Sequence, residues 1–237
     1  MIDLSQLGEG ITSQVYEDLE AVAESAARLI LQRATEAITE HGAFYIVLAG
    51  GTSPRLAYRL LVDVKTDWSR WHIYFGDERC LPRDDSERNS VMAQRAWLDH
   101  VAIPQSQIHP IPAELGAEKG AAAYSLVVEK ALSLDRTFDM VLLGMGEDGH
   151  TASLFPGHQH DAGELVHAVH HAPKPPADRI SLSRASLRAT RQLLLLVTGS
   201  SKQEALARWA AGDSLPVAAI VPDCGVDLLL DTGAVGI

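Results

Sequence analysis

The residues able to do chemistry in this chain gather at a few glycine-rich stretches. Gly144-Met145-Gly146-Glu147-Asp148-Gly149-His150-Thr151 folds three glycines around an Asp-x-His pair. A histidine can take a proton near neutral pH, and a nearby aspartate fixes its tautomer and raises its basicity. His150 is the candidate general base and Asp148 its orienting partner. Gly76-Asp77-Glu78-Arg79 puts three charged residues where a plain turn would carry Asn, Ser or Gly. Arg79 suits a developing oxyanion, while Asp77 and Glu78 can orient it or bind sugar hydroxyls. A solvated acidic turn with an internal ion pair is the competing reading of the same residues.

Two further stretches suit an anion. Gly50-Gly51-Thr52-Ser53-Pro54 offers backbone N–H groups, small side chains and a helix start. It also reads as a tight turn with Ser53 as N-cap. Thr198-Gly199-Ser200-Ser201-Lys202 repeats this chemistry and adds a lysine, able to meet a phosphate as a point charge or to sit solvated on a helix. Neither stretch is GxxxxGK[ST] or GxGxxG. Asn89 reads as a cap of the helix that follows it. There is no GxSxG elbow, and neither Cys80 nor Cys224 has a nucleophile's signature, so direct attack by water is expected. His158, His160, His167, His170 and His171 crowd a polar loop and an alternating run. They read as surface residues and not as a metal site.

These stretches need a frame to bring them together. Val15, Leu19, Val22, Ala26, Leu29, Ile30, Ala34 and Ile38 recur at three- and four-residue spacing, which predicts a helix from Gln14 to His41 stopped by Gly42. Short apolar runs at Phe44–Ala49, Trp71–Phe75, Phe138–Leu143 and Gln192–Thr198 each end at a glycine. Helices are expected from Pro54 to about Val64 and from Lys202 to Ala211. Apolar strands alternating with helices predict an α/β, three-layer Rossmann-like fold, its mainly parallel sheet flanked by helices. In such a sheet the loops after Ala49, Phe75, Leu143 and Val197 converge beyond the carboxyl ends of the strands. Pro173-Lys174-Pro175-Pro176 reads as a rigid loop.

The 237 residues suit a single domain over 1–237. With 46% hydrophobic and 22% charged residues, disorder, collagen and coiled coil are excluded. A formal net charge of −11 argues against a nucleic-acid or anionic-membrane surface, so any anionic ligand must meet a local basic pocket. Leu193–Val197, the longest strongly apolar stretch, is far too short to span a membrane, and the N-terminus lacks a secretory pattern. Two cysteines without a framework agree with a reducing compartment, so free thiols and a cytoplasmic location are expected.

Five motifs in order resemble those of the 6-phosphogluconolactonases. They are Ala49–Pro54; Gly76–Arg79 with Ser86–Asn89; Gly144 through Phe155-Pro156-Gly157; Pro173–Pro176 with Arg179-Ile180-Ser181-Leu182; and Thr198–Lys202. The resemblance implies hydrolysis of 6-phospho-D-glucono-1,5-lactone to 6-phosphogluconate by a monomer or small homo-oligomer, without metal or organic cofactor. It puts phosphate at Gly50, Gly51, Thr52 and Ser53 with Arg179 and Lys202, and the base at His150. Glucosamine-6-phosphate deaminases are similar in fold and share the Asp-Gly-His turn and the Asp-Glu pair. Their turn continues Ile-Ala-Phe-Asn-Glu-Pro-Gly, whereas Thr151-Ala152-Ser153-Leu154-Phe155-Pro156-Gly157 puts Phe155 where a functional glutamate falls. Arg79 stands where a tyrosine is expected. An aromatic ring cannot carry the proton, which disfavours deamination. A non-catalytic sugar-phosphate sensor is the remaining alternative, and it lacks an evident output segment in these residues.

Overall fold

A computed structural model describes residues 2–133, 136–159 and 161–237; His160, one of the clustered histidines, lies outside them. In chain order the strands are β1 (Ile11–Tyr16), β2 (Phe44–Leu48), β3 (Trp71–Phe75), β4 (Asp77–Arg79), β5 (Met140–Gly144), β6 (Val166–Val169), β7 (Arg179–Leu182), β8 (Leu193–Val197) and β9 (Val226–Asp231). The helices are α1 (Leu19–His41), α2 (Thr52–Leu60), α3 (Asn89–Ala96), α4 (Ala117–Ala131), α5 (Arg184–Arg188), α6 (Gln203–Ala210), α7 (Pro216–Ala219) and α8 (Thr232–Val235).

Among the described residues, six strands form a parallel sheet in the order β1-β9-β8-β5-β2-β3. Successive strand residues point to opposite faces, and every residue of β8 is buried, so both faces of the sheet are covered. Each fully buried leucine there contributes about 1.5–3 kcal/mol of hydrophobic stabilisation. β2 lies between β3 and β5, and the chain leaves β2 toward one edge and β5 toward the other. That reversal opens a crevice at the carboxyl ends of β2 and β5, where ligands bind in such sheets.

Three boundaries differ from the expected ones. The long helix does not begin at Gln14, because Ile11–Tyr16 is an edge strand paired with β9 from Ile11↔Val226 to Tyr16↔Asp231. Val15 matched the helical spacing by coincidence and stands 41% exposed. The helix begins after Asp18, whose carboxylate accepts the Ala21 N–H at 2.9 Å, and ends at Gly42, at φ +87. The second helix spans Thr52–Leu60 instead of Pro54–Val64, and Gly51, not Ser53, stands at its N-cap position. Its last turn tightens through Leu61 N–H to Tyr58 O and Val62 N–H to Arg59 O. Phe138 lies ahead of β5 and makes only an isolated bridge to Thr190.

A second sheet, β4-β7-β6, is antiparallel, whereas the sequence pattern predicts only the parallel one. Asp77-Glu78-Arg79 is therefore a strand and not a turn, paired Asp77↔Ser181, Glu78↔Ile180 and Arg79↔Arg179. Three residues are too few for a periodicity, and their pairing partners lie about a hundred positions away. Like charges directly opposite one another are destabilising, so Arg79 facing Arg179 marks a place suited to an anion.

Candidate active site

The turn after β5 is built to present an imidazole. Gly146 N–H meets His150 O at 2.8 Å, Gly149 N–H meets Gly146 O at 3.1 Å, and Thr151 Oγ1 donates to Gly144 O at 2.8 Å. Gly149 holds φ +82, and a Cβ on Gly146 would fall 2.0 Å from His150 Nδ1, so both glycines are required by the turn. His150 Nδ1 lies 2.5 Å from Asp148 Oδ1, which also accepts the His150 backbone N–H at 3.1 Å. Burial pushes the Asp148 carboxyl up, but the hydrogen bonds from the His150 ring and backbone outweigh it and leave its pKa below the usual value. An ionised Asp148 assigns the proton to Nδ1 and leaves Nε2 as the acceptor. The Phe155 ring packs 4.7 Å from the imidazole, and the Arg179 guanidinium lies 5.7 Å from the centre of that same ring.

The two small-residue loops meet, since Ser53 Oγ and Thr198 Oγ1 are 2.7 Å apart. No side chain caps α2, so its first N–H groups are available to a ligand, at the positive end of the helix. The second loop contributes less backbone than expected. Gly199 N–H donates to both carboxylate oxygens of Asp231 at 2.9 Å, so that loop lines the cavity with Thr198 and Lys202 and not with Gly199. Burial pushes the Lys202 pKa down and does the same to Arg179, only 6% exposed. Among the described residues neither forms an ion pair. A half-buried cation without a counter-ion is suited to an incoming anion.

Asn89 does more than begin α3. Its Nδ2 donates to the backbone and side-chain oxygens of Asp77, both at 3.0 Å, and Ser153 Oγ donates to the other Asp77 oxygen at 2.6 Å. Asn89 also braces the first glycine loop, because a Cβ on Gly50 would lie 1.9 Å from Asn89 Oδ1. Gly50→Ala is expected to lower stability by roughly 1–3 kcal/mol in urea unfolding, and a change near zero would show that Asn89 gives way freely. Arg79 Nη1 donates to Glu87 O at 2.5 Å, while its buried Nε has no acceptor among the described residues.

Glu78 departs from the expected role in binding sugar or orienting arginine at the site. It is 0% exposed and does not line the cavity. Its Oε1 accepts Asn89 N–H at 2.7 Å, its Oε2 accepts Ser90 N–H at 2.9 Å and Ser90 Oγ at 2.7 Å, and Arg88 Nε lies 3.4 Å away. Glu78 thus caps α3 from a neighbouring strand, in place of the Asn89 side chain. Every other expected site residue lines one cavity of about 380 Å³ except Asp148, which sits behind His150. Lys174 and Thr198 line it too. Thr198 stands in the loop whose residues suit an anion, whereas nothing in the local spacing of Lys174 signals a role.

The clustered histidines are not all on the surface. His167 is 3% exposed on β6, with Nδ1 2.8 Å from Glu164 Oε2, on a strand of which three of the four residues are buried. His170 bridges Glu118 and Asp178. Among the described residues no group of three or more His, Cys, Asp or Glu is arranged to hold a metal ion, and no helix is long and apolar enough to cross a membrane.

Comparison with known proteins accords with this geometry. The family described as glucosamine-6-phosphate isomerases/6-phosphogluconolactonase matches residues 17–229. A 6-phosphogluconolactonase of Mycobacterium leprae is 36% identical over 228 residues, covering 88% of this chain and 90% of the relative. The crystal structure of a 6-phosphogluconolactonase from Thermotoga maritima superposes with a TM-score of 0.86 at 25% identity, covering 93% of this chain and 99% of that one. A 6-phosphogluconolactonase from Trypanosoma brucei gives a TM-score of 0.81 at 27% identity, covering 95% and 97%. The chain therefore belongs to the glucosamine-6-phosphate isomerase/6-phosphogluconolactonase family.

Proposed function

We propose that the chain is a 6-phosphogluconolactonase that hydrolyses 6-phospho-D-glucono-1,5-lactone to 6-phosphogluconate in the pentose phosphate pathway. One observation carries the reading: a histidine oriented by an aspartate lines the same cavity as Arg179 and Lys202, two cations that form no ion pair among the described residues. Its volume, about 380 Å³, is in the range of small-molecule sites. The phosphate lies against the N-terminus of α2 with Arg179 and Lys202, while Asp77 faces the sugar hydroxyls.

His150 Nε2 removes a proton from water as its oxygen attacks the lactone carbonyl carbon. Arg79 stabilises the oxyanion that forms. As the intermediate collapses, the bond from that carbon to the ring oxygen breaks, and the imidazolium returns its proton to the ring oxygen, leaving a hydroxyl and a carboxylic acid. These steps need only a base and a fixed cation, so no cofactor is required. The deaminase reading has less support, because Phe155, whose ring packs against His150, stands where the deaminases carry a functional glutamate.

The phosphate is remote from the carbonyl, so its contacts mainly contribute binding and positioning. Lys202→Ala is expected to lower kcat/KM for the phosphorylated lactone by roughly 10- to 100-fold, and by far less for gluconolactone. Rate measurements on both substrates check this, and equal losses would contradict the phosphate role.

A further inference from the structure

We propose that Lys174 is a third phosphate-binding cation, held by Glu147 before substrate arrives and transferred to the phosphate as it enters. The proposal rests on the lactonase reading and extends it to how the phosphorylated substrate is selected. Lys174 lies between β6 and β7 and lines the cavity with Arg179 and Lys202, yet its Nζ is directed to Glu147 Oε2 at 3.1 Å. Glu147 belongs to the turn that carries His150, so this ion pair joins the turn to the proline-rich segment across the cavity wall.

The backbone of Lys174 is not free to wander. Arg179 Nη2 donates to Lys174 O at 3.1 Å and to Pro175 O at 3.0 Å, and Arg179 Nε donates to Pro176 O at 3.3 Å. Prolines on either side restrict the segment further. The arginine available to a phosphate therefore also sets where Lys174 stands, and among the described residues the lysine's ammonium makes no other hydrogen bond.

The partner is chosen for easy exchange. The Glu147 side chain is 55% exposed, and ion pairs between exposed groups are weak. A phosphate dianion beside the half-buried Lys202 would attract the Lys174 ammonium more strongly, because water screens the cavity wall less than the surface. Glu147 and Lys174 both lie within electrostatic reach of Lys202, where the carboxylate favours its charged form and the second ammonium opposes it. Exchange of Glu147 for phosphate would relieve the repulsion between the two lysines. A lactone without phosphate has nothing to offer Lys174 and leaves the pair intact.

The test compares wild type with Lys174→Ala, Lys174→Arg and Glu147→Gln on 6-phosphogluconolactone and on gluconolactone, and follows inorganic phosphate binding by calorimetry. Lys174→Ala is expected to raise KM for the phosphorylated lactone roughly 10-fold or more, with a smaller effect on kcat, and to weaken inorganic phosphate binding similarly. Lys174→Arg should recover most of the loss, and Glu147→Gln should lower KM a few-fold by freeing the lysine. Equal losses on both lactones, unchanged phosphate affinity in Lys174→Ala, or an unchanged or higher KM in Glu147→Gln would overturn the proposal. A wild-type protein that does not hydrolyse the phosphorylated lactone would defeat the lactonase reading instead, and the calorimetric comparison would still decide the role of Lys174.

Discussion

His150→Asn is expected to lower kcat on 6-phosphogluconolactone by about 10² to 10⁴-fold, the contribution of a positioned general base. The ring is held by Asp148 on one nitrogen and packed by Phe155, which leaves its other nitrogen for the proposed role of accepting a proton from water. Asparagine cannot take that proton at neutral pH. KM should move by less than roughly threefold, because the proposed phosphate contacts come from other loops. Rates corrected for spontaneous hydrolysis provide the comparison. Turnover close to wild type would mean that another group acts as the base.

The second large effect is on stability. Glu78→Ala should destabilise the fold by about 3–5 kcal/mol, the range for removing one partner of a buried ion pair. The substitution leaves Arg88, 2% exposed, with only Glu114 Oε2 at 2.9 Å and Ile111 O at 2.6 Å, and strips the acceptors from the first two N–H groups of α3. For a chain of this length the midpoint of thermal unfolding should fall by roughly 6–20 °C. Urea unfolding monitored by circular dichroism measures the difference directly. A loss under about 1 kcal/mol would place Glu78 in the class of weak surface pairs.

Much of this architecture could be read from local pattern. The strands of the parallel sheet are buried on both faces, so they appear as unbroken apolar runs, and the glycines that end them mark where the chain turns toward the site. His150 and Asp148 were legible because both contacting residues lie within one short turn. The role of Glu78 was not legible, since it depends on burial by Arg88 and on β7, far along the chain. Gly199 followed the same pattern: its local chemistry suits an anion, but Asp231 on the neighbouring strand takes its N–H. Gln14–Tyr16 were misread because an exposed edge strand needs only a weak alternation, which a three- and four-residue spacing can mimic. Lys174 carries no signal of its own in the sequence, as its partners Glu147 and Arg179 come together only in the folded chain.

The most direct test of the central claim follows acid release from freshly generated 6-phosphogluconolactone at constant pH, with and without the wild-type protein. Catalysis predicts release that rises in proportion to protein concentration and saturates with substrate, above the spontaneous rate. Release indistinguishable from the spontaneous rate at every protein concentration would contradict the assignment.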